Sequence, residues 1–347
     1  MIHLTSNIQW AGSPYKSFVI LDQDKEIILV PSLFITHLAI NGKSQNTIKS
    51  FAEKIDQYFK ILNSSQNTNW ETVDNETLSI YINQFLFKHL NLKPRSIRIH
   101  ITAILKFYTW AWEYGFIEDQ PSFNLILDNQ LLKNKERGVG SKNYIQQYIE
   151  QENFEDLLGN LSTSNPYLLE RNELIMNLGY QMGLRASEVI DHRNLKIDNL
   201  YKTVQSKGKS YYIDIIGKGE KVRRVPCSPS LTNKIINFMH GQHHSVNSKN
   251  LISDLQGNPL NRVRPNEIFK QSKKNLDKSY WESRTFHSLR HTFATNLVAW
   301  CYENNFNPWD VVPESMGHSD VETTKGYIFF EAVLSKRHSL IEKLNIK

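Results

Sequence analysis

One tyrosine, two arginines, two histidines and a lysine stand in a fixed order in the C-terminal half of this 347-residue chain. The first arginine lies in Gly183-Leu-Arg185-Ala-Ser-Glu188 and the lysine in Gly217-Lys218-Gly-Glu-Lys221. His287-Ser-Leu-Arg290-His291-Thr-Phe-Ala-Thr295 and Met316-Gly-His318-Ser-Asp-Val-Glu-Thr-Thr-Lys-Gly326-Tyr327 carry the rest. These residue types suit attack on a phosphodiester without a metal. A guanidinium stays charged and bonds two non-bridging oxygens at once, so Arg185 and Arg290 would hold the charge that builds on those oxygens. Tyr327 would be the nucleophile, and its phenol, protonated near neutral pH, requires help. His287 and His318 are candidates for proton transfer or phosphate bonding; His291 reads as structural. Lys218 could protonate a departing 5′ oxygen, with Lys209 and Lys221 as rivals. Each residue also has a plain reading. With 15 tyrosines in the chain, most must simply pack, a lone arginine usually ends in an ion pair, and a turn lysine is usually solvated. Glu188, three residues after Arg185, reads as a brace for it. The joint spacing favours chemistry.

The elements that must position these groups are legible in outline. A helix over 170–182 ends at Gly183 and puts Arg185 at the next helix start, where backbone dipoles favour anions. His287 and Arg290 share a helical face by i, i+3 spacing. Lys218 sits at the tip of a hairpin, Gly217–Glu220, between strands 211–216 and 221–225. Residues 202–224 hold seven basic side chains against Asp214 and Glu220, so Lys207, Lys209, Lys221 and Arg223 are candidate DNA contacts. Upstream, Ser44 can cap a helix with Ile48, Phe51, Ile55, Tyr58, Phe59 and Leu62 inward. A second helix runs over 75–90. Pro94 opens a third, reaching about Tyr114, with Ile97, Ile101, Ile104, Leu105, Tyr108 and Trp112 on one face. Residues 16–31 alternate like a hairpin turning at 22–25, and 119–143 reads as an exposed linker. The expected division is an N-terminal extension over 1–34, a helical domain over 35–118, the linker, and a catalytic domain over 144–347.

Bulk properties fit a globular protein with a polyanionic partner. The chain is 40% hydrophobic, 22% charged and carries a net +6. Two cysteines, Cys227 and Cys301, make no disulfide framework or zinc pattern. With no secretory signal or membrane span visible, a cytoplasmic, nucleoid-associated protein without cofactor or metal is expected.

At Gly183–Glu188, His287–Thr295 and Met316–Tyr327 the chain resembles the tyrosine recombinases, or phage integrase family, and the resemblance extends over about 35–340. It implies an α+β, mostly helical fold: a small all-helical core-binding, SAM-like domain, then a mixed helical catalytic domain with a small β-hairpin. It implies that Lys43, Ser44 and Asn46, and later Arg95 and Arg98, sit at helix starts that meet DNA. It also implies site-specific cutting and rejoining of double-stranded DNA through a 3′-phosphotyrosine, without ATP or metal. Four protomers would assemble on two recombination sites, with accessory proteins a further expected partner, in integration or transposition of a mobile genetic element. Two features depart from the pattern. The stretch around 301–309 is longer than usual. Gly326 stands before the tyrosine where a side chain is more usual; glycine is expected to loosen the segment, leaving open whether Tyr327 acts in its own site or a neighbour's. The tail 328–347 is expected to pack on its own domain or on the next protomer. A type IB topoisomerase-like relaxing enzyme and a non-catalytic DNA-binding accessory protein are the alternatives. A metal nuclease is disfavoured because no carboxylate cluster accompanies these residues.

Overall fold

The computed structural model describes residues 4–64, 69–128, 141–205, 211–317 and 321–335. They fall into two units, Met1–Gly138 and Val139–Lys347.

In the first unit, β1 (Leu4–Trp10) pairs antiparallel with β2 (Ser13–Val19). The turn is Ala11-Gly12, both at positive φ (48° and 77°), the geometry a two-residue hairpin turn requires. This corrects the expected hairpin at 16–31. Of that pairing only a Leu21–Ile27 bridge forms, because Asp22 Oδ1 accepts the Asp24 and Glu26 amides in a local turn. The chain then enters α1 (Leu29–Ile40). Ser44 caps α2 (Gln45–Ser64) as expected, accepting the Thr47 amide at 3.3 Å. Asp74 caps α3 (Asn75–Ile80), which continues as a π-helix over Tyr81–His89. Pro94 opens α4 (Pro94–Glu113).

The expected inward face of α2 is buried throughout. On α4, Trp110 takes the core place expected of Trp112, which is half-buried. Tyr58 and Tyr108 hydroxyls bond at 2.8 Å, and Tyr108 donates to the Trp70 carbonyl. Phe18, Ile20 and Phe34 belong to this same core. Residues before 35 are therefore part of the first unit and not an appendage. The expected linker is likewise stitched down over its first part: the Asn124, Ile126 and Asp128 amides donate to side chains of Asn75, Ser79 and Asn83.

The second unit contains α5 (Ser141–Gln147), α6 (Gln151–Gly159), α7 (Pro166–Met182), α8 (Ala186–Val189) and α9 (Ile197–Gln205). The hairpin β3 (Tyr211–Ile216) and β4 (Val222–Cys227) follows, paired from Tyr211–Cys227 to Ile216–Val222 as expected. Then come α10 (Pro229–His240), α11 (Arg264–Ser272), α12 (Lys278–Trp281), α13 (Phe286–Glu303), α14 (Pro308–Met316) and α15 (Val321–Leu334). Helices α7 and α13 pack against each other. Gly179 permits that approach, since a Cβ there would lie 3.0 Å from Leu289 and Phe286 side-chain atoms. Among the described residues the fold is mostly helical with two small antiparallel sheets. No described helix is long and apolar enough to cross a membrane.

Candidate active site

Helix α7 ends at Gly183, whose φ of 63° turns the chain; a Cβ there would also collide with the Phe293 ring. The turn delivers Arg185 to the start of α8 and Glu188 to its interior. Glu188 is 3% exposed and organises the site. It accepts the Arg185 amide at 2.8 Å and Arg185 Nη1 at 2.6 Å. It also accepts Arg223 Nη1 and Nη2 at 2.8 and 2.7 Å, a bidentate pair. Arg290 Nη1 lies 3.9 Å from its Oε2. One carboxylate thus faces three guanidiniums. Burial pushes the Glu188 carboxyl up, but Arg223 and then Arg185 outweigh it and hold it at about 2. Arg185 keeps 30% of its side chain exposed and is the solvent-facing member.

Arg223 was expected to face DNA. It is instead buried, and its Nε donates to the Ser315 carbonyl at 2.9 Å. A basic hairpin strand reads as a solvated grip, but inward alternation on β4 puts this one side chain under the site. Two glycines leave room for it. A Cβ on Gly217 would lie 3.0 Å from Arg223 Nη1, and one on Gly317 would lie 3.1 Å from its Cδ. The glycines before Lys218 and before His318 therefore serve the same buried arginine. Asn194, also missed from sequence, bonds both Ile216 and the Glu188 carbonyl, tying β3 to α8. Arg193 pairs with Asp191 and with Glu220 at the hairpin tip.

Lys218 occupies the tip, which the Gly217 amide closes onto the Lys221 carbonyl at 2.8 Å. Lys221 is exposed beside it. Lys207, Lys209 and His318 lie outside the described residues, as does the Lys218 side chain. In the first unit Lys43, Ser44, Asn46, Arg95 and Arg98 are all exposed at the starts of α2 and α4.

Arg290 is 2% exposed. It donates from Nη1 to the Gly183 carbonyl at 2.6 Å and from Nη2 to the Met316 carbonyl. These carbonyls end α7 and α14, where helix dipoles favour a cation. Burial and then Arg185 work against its charge, Glu188 opposes them only in part, and the guanidinium is held below its ordinary value. His287 stands one turn before it. Surrounding protein, then Arg290 and Arg185, hold His287 down at about 4 although the residue is partly exposed, so it is neutral at pH 7.

Tyr327 lies on α15 and is 2% exposed. Its hydroxyl bonds His291 Nδ1 at 2.7 Å. Its ring meets Tyr144 edge-on at 5.0 Å. A Cβ on Gly326 would lie 2.5 Å from Tyr144 Oη. Gly326 is thus the seat for Tyr144, a correction to the expectation that it loosens the segment. Burial and then Tyr144 push the phenol above its ordinary range, while Arg290 and Arg185 pull the other way. Among the described residues, no three His, Cys, Asp or Glu side chains cluster as metal ligands would.

Comparison with known proteins shows the family and the fold. Residues 147–331 match the phage integrase family, and residues 32–115 match the phage integrase N-terminal SAM-like domain. Tyrosine recombinase XerD of Staphylococcus haemolyticus is 24% identical over 292 residues, covering 82% of this chain and 88% of its own. Tyrosine recombinase XerC of Bacillus pumilus is 26% identical over 307 residues, covering 85% and 90%. The fold is similar to that of the site-specific recombinase XerH in a post-cleavage complex with difH DNA, with TM-score 0.62, 18% identity, and 93% and 90% of the two chains covered. It is also similar to lambda integrase in a tetramer bound to a Holliday junction, with TM-score 0.58, 13% identity, and 86% and 76% covered. With the family matched across its catalytic half and its N-terminal domain, the chain belongs to the phage integrase family of tyrosine recombinases.

Proposed function

We propose that this recombinase cuts and rejoins DNA at specific sites through a covalent bond between Tyr327 and a 3′ phosphate, in the movement of a genetic element. The observation that carries this reading is the convergence of three distant segments. Arg185 and Arg290 both face Glu188, and both act electrostatically on the Tyr327 phenol. Arg185 and Arg290 then bind the non-bridging oxygens, with cations of the protein serving where another enzyme would use a metal. Lys218 protonates the 5′ oxygen as it leaves, and His287 and His318 assist at the phosphate. One phosphoester replaces another, so no nucleotide is consumed. Tyr327 and Arg290 are both covered as the chain stands, so DNA must displace surrounding atoms to reach them. Lys43, Ser44, Asn46, Arg95 and Arg98 in the first unit, and Lys207, Lys209 and Lys221 in the second, supply contacts to the duplex. Similar proteins solved on DNA, one as a tetramer on a Holliday junction, support action as four protomers on two sites; accessory proteins are proposed as further partners.

The test places two copies of the DNA flanking the gene in one supercoiled plasmid, in buffer containing EDTA. Deletion or inversion between the copies is the expected product. Relaxation without exchange would point to a topoisomerase, and a strict need for added magnesium would reject the metal-free mechanism.

A further inference from the structure

The proposed reaction requires a group to receive the nucleophile's proton, and His287, one turn from Arg290, is poorly suited. Two guanidiniums beside it oppose its protonation. His291 has the better geometry. It lies one turn further along α13, with its ring 4.7 Å from that of His287. Its Nδ1 is 2.7 Å from the Tyr327 hydroxyl oxygen. Tyr144 meets both partners edge-on, at 5.6 Å from His291 and 5.0 Å from Tyr327. Gly326 is the opening that lets Tyr144 sit there, because any Cβ would strike its hydroxyl. The glycine thus seats Tyr144, whose ring packs against both members of the His291–Tyr327 hydrogen bond.

We propose that His291 is the proton acceptor of the Tyr327 nucleophile, held in register by Tyr144. This rests on the reading of Tyr327 as nucleophile. Before attack the Tyr327 hydroxyl donates to Nδ1 of a neutral His291 that carries its own proton on Nε2. As the phenolic oxygen bonds to phosphorus, its O–H bond breaks and that proton moves to Nδ1. The bond from phosphorus to the 5′ oxygen breaks, and that oxygen takes a separate proton from Lys218. In rejoining, the incoming 5′ hydroxyl gives its proton back to the now neutral Lys218 as it displaces the tyrosine oxygen, and His291 returns the other proton to that tyrosine oxygen. The buried phenol, with its proton affinity raised, makes an acceptor necessary.

The experiment measures single-turnover cleavage of a nicked suicide DNA by wild type, His291→Ala and His291→Asn, each carrying either tyrosine or a ring-fluorinated, more acidic tyrosine at position 327. His291→Ala should slow cleavage by about 10²-fold or more, the scale of one lost general base. The acidic phenol should restore most of that loss in the variants while changing wild type little, because it releases its proton without an acceptor. Should the alanine variant not fold, the asparagine variant serves in its place: it can accept a hydrogen bond but not a proton. Cleavage within about threefold of wild type, faster cleavage, or a defect that the acidic phenol leaves untouched would overturn the proposal; faster cleavage would make the contact a latch. Absence of any adduct in wild type, or an adduct that survives Tyr327→Phe, would instead remove the underlying reading of Tyr327.

Discussion

At the scale of single residues, the site depends on one buried carboxylate. Glu188 carries three arginines, and its charge is fixed by them. A folded value of about 2, against an ordinary 4.5, corresponds to about 3 kcal/mol of linked stability. Because the folded pKa is depressed, that contribution is complete above the ordinary range and is lost as pH falls from there toward 2. Urea unfolding at pH 6 and pH 3 should therefore show wild type losing more stability than Glu188→Gln over the same interval; equal losses would show that Glu188 is not the linked group. Arg185→Ala and Arg290→Ala should each slow cleavage by about 10²-fold or more, as removal of one preorganised donor does, and rates near wild type in a quench-flow assay would place that arginine outside the chemistry. Arg185, Arg290, Tyr327 and the brace at Glu188 were legible because each sits in a short, spaced motif. Arg223 and His291 were not. Nothing in linear spacing reveals that two glycines a hundred residues apart, Gly217 and Gly317, empty space for one guanidinium. Nor does it show that the histidine after Arg290 meets the tyrosine.

At the scale of elements, the β3–β4 hairpin is held from below by Arg223 and Asn194 and from the side by Arg193. Those ties suit the general acid proposed at the tip. Lys218→Ala should lose cleavage on ordinary DNA and regain it on DNA with a bridging 5′ phosphorothiolate, whose thiolate leaves without a proton. Parallel measurements on Lys221→Ala assign the role: rescue confined to that variant would move the acid to Lys221, and rescue of neither would leave the hairpin as a DNA grip. This hairpin was readable from its alternation and glycine-rich tip, as α2 and α4 were from their caps and periodicity. The first hairpin was not. Its turn is Ala11-Gly12, and alanine at positive φ carries no turn signal, whereas the conspicuous Asp22–Lys25 cluster closes only a local turn.

At the scale of the whole molecule, two units each bury their own core, and the N-terminal residues belong to the first. Ile20 is fully buried there, so Ile20→Ala should cost about 2–4 kcal/mol; a melting temperature unchanged in calorimetry would return those residues to the status of an appendage. The packing of the N-terminal residues on this core was not legible because β2 lies outside the helical periodicity that marks the domain. The packing of 121–128 was not legible because an extended segment without regular secondary structure, bonded to Asn75, Ser79 and Asn83, has no periodicity to mark it. The central claim remains the covalent bond to Tyr327, and one measurement addresses it directly. Wild type incubated with nicked suicide DNA from the gene's own flanks is trapped, digested and read by mass spectrometry, beside Tyr327→Phe. Wild type should carry a 3′-phosphonucleotide on Tyr327, and the phenylalanine variant should form no adduct with DNA binding nearly unchanged. An adduct on another residue, a 5′ linkage, or an adduct that persists in Tyr327→Phe would contradict the central claim.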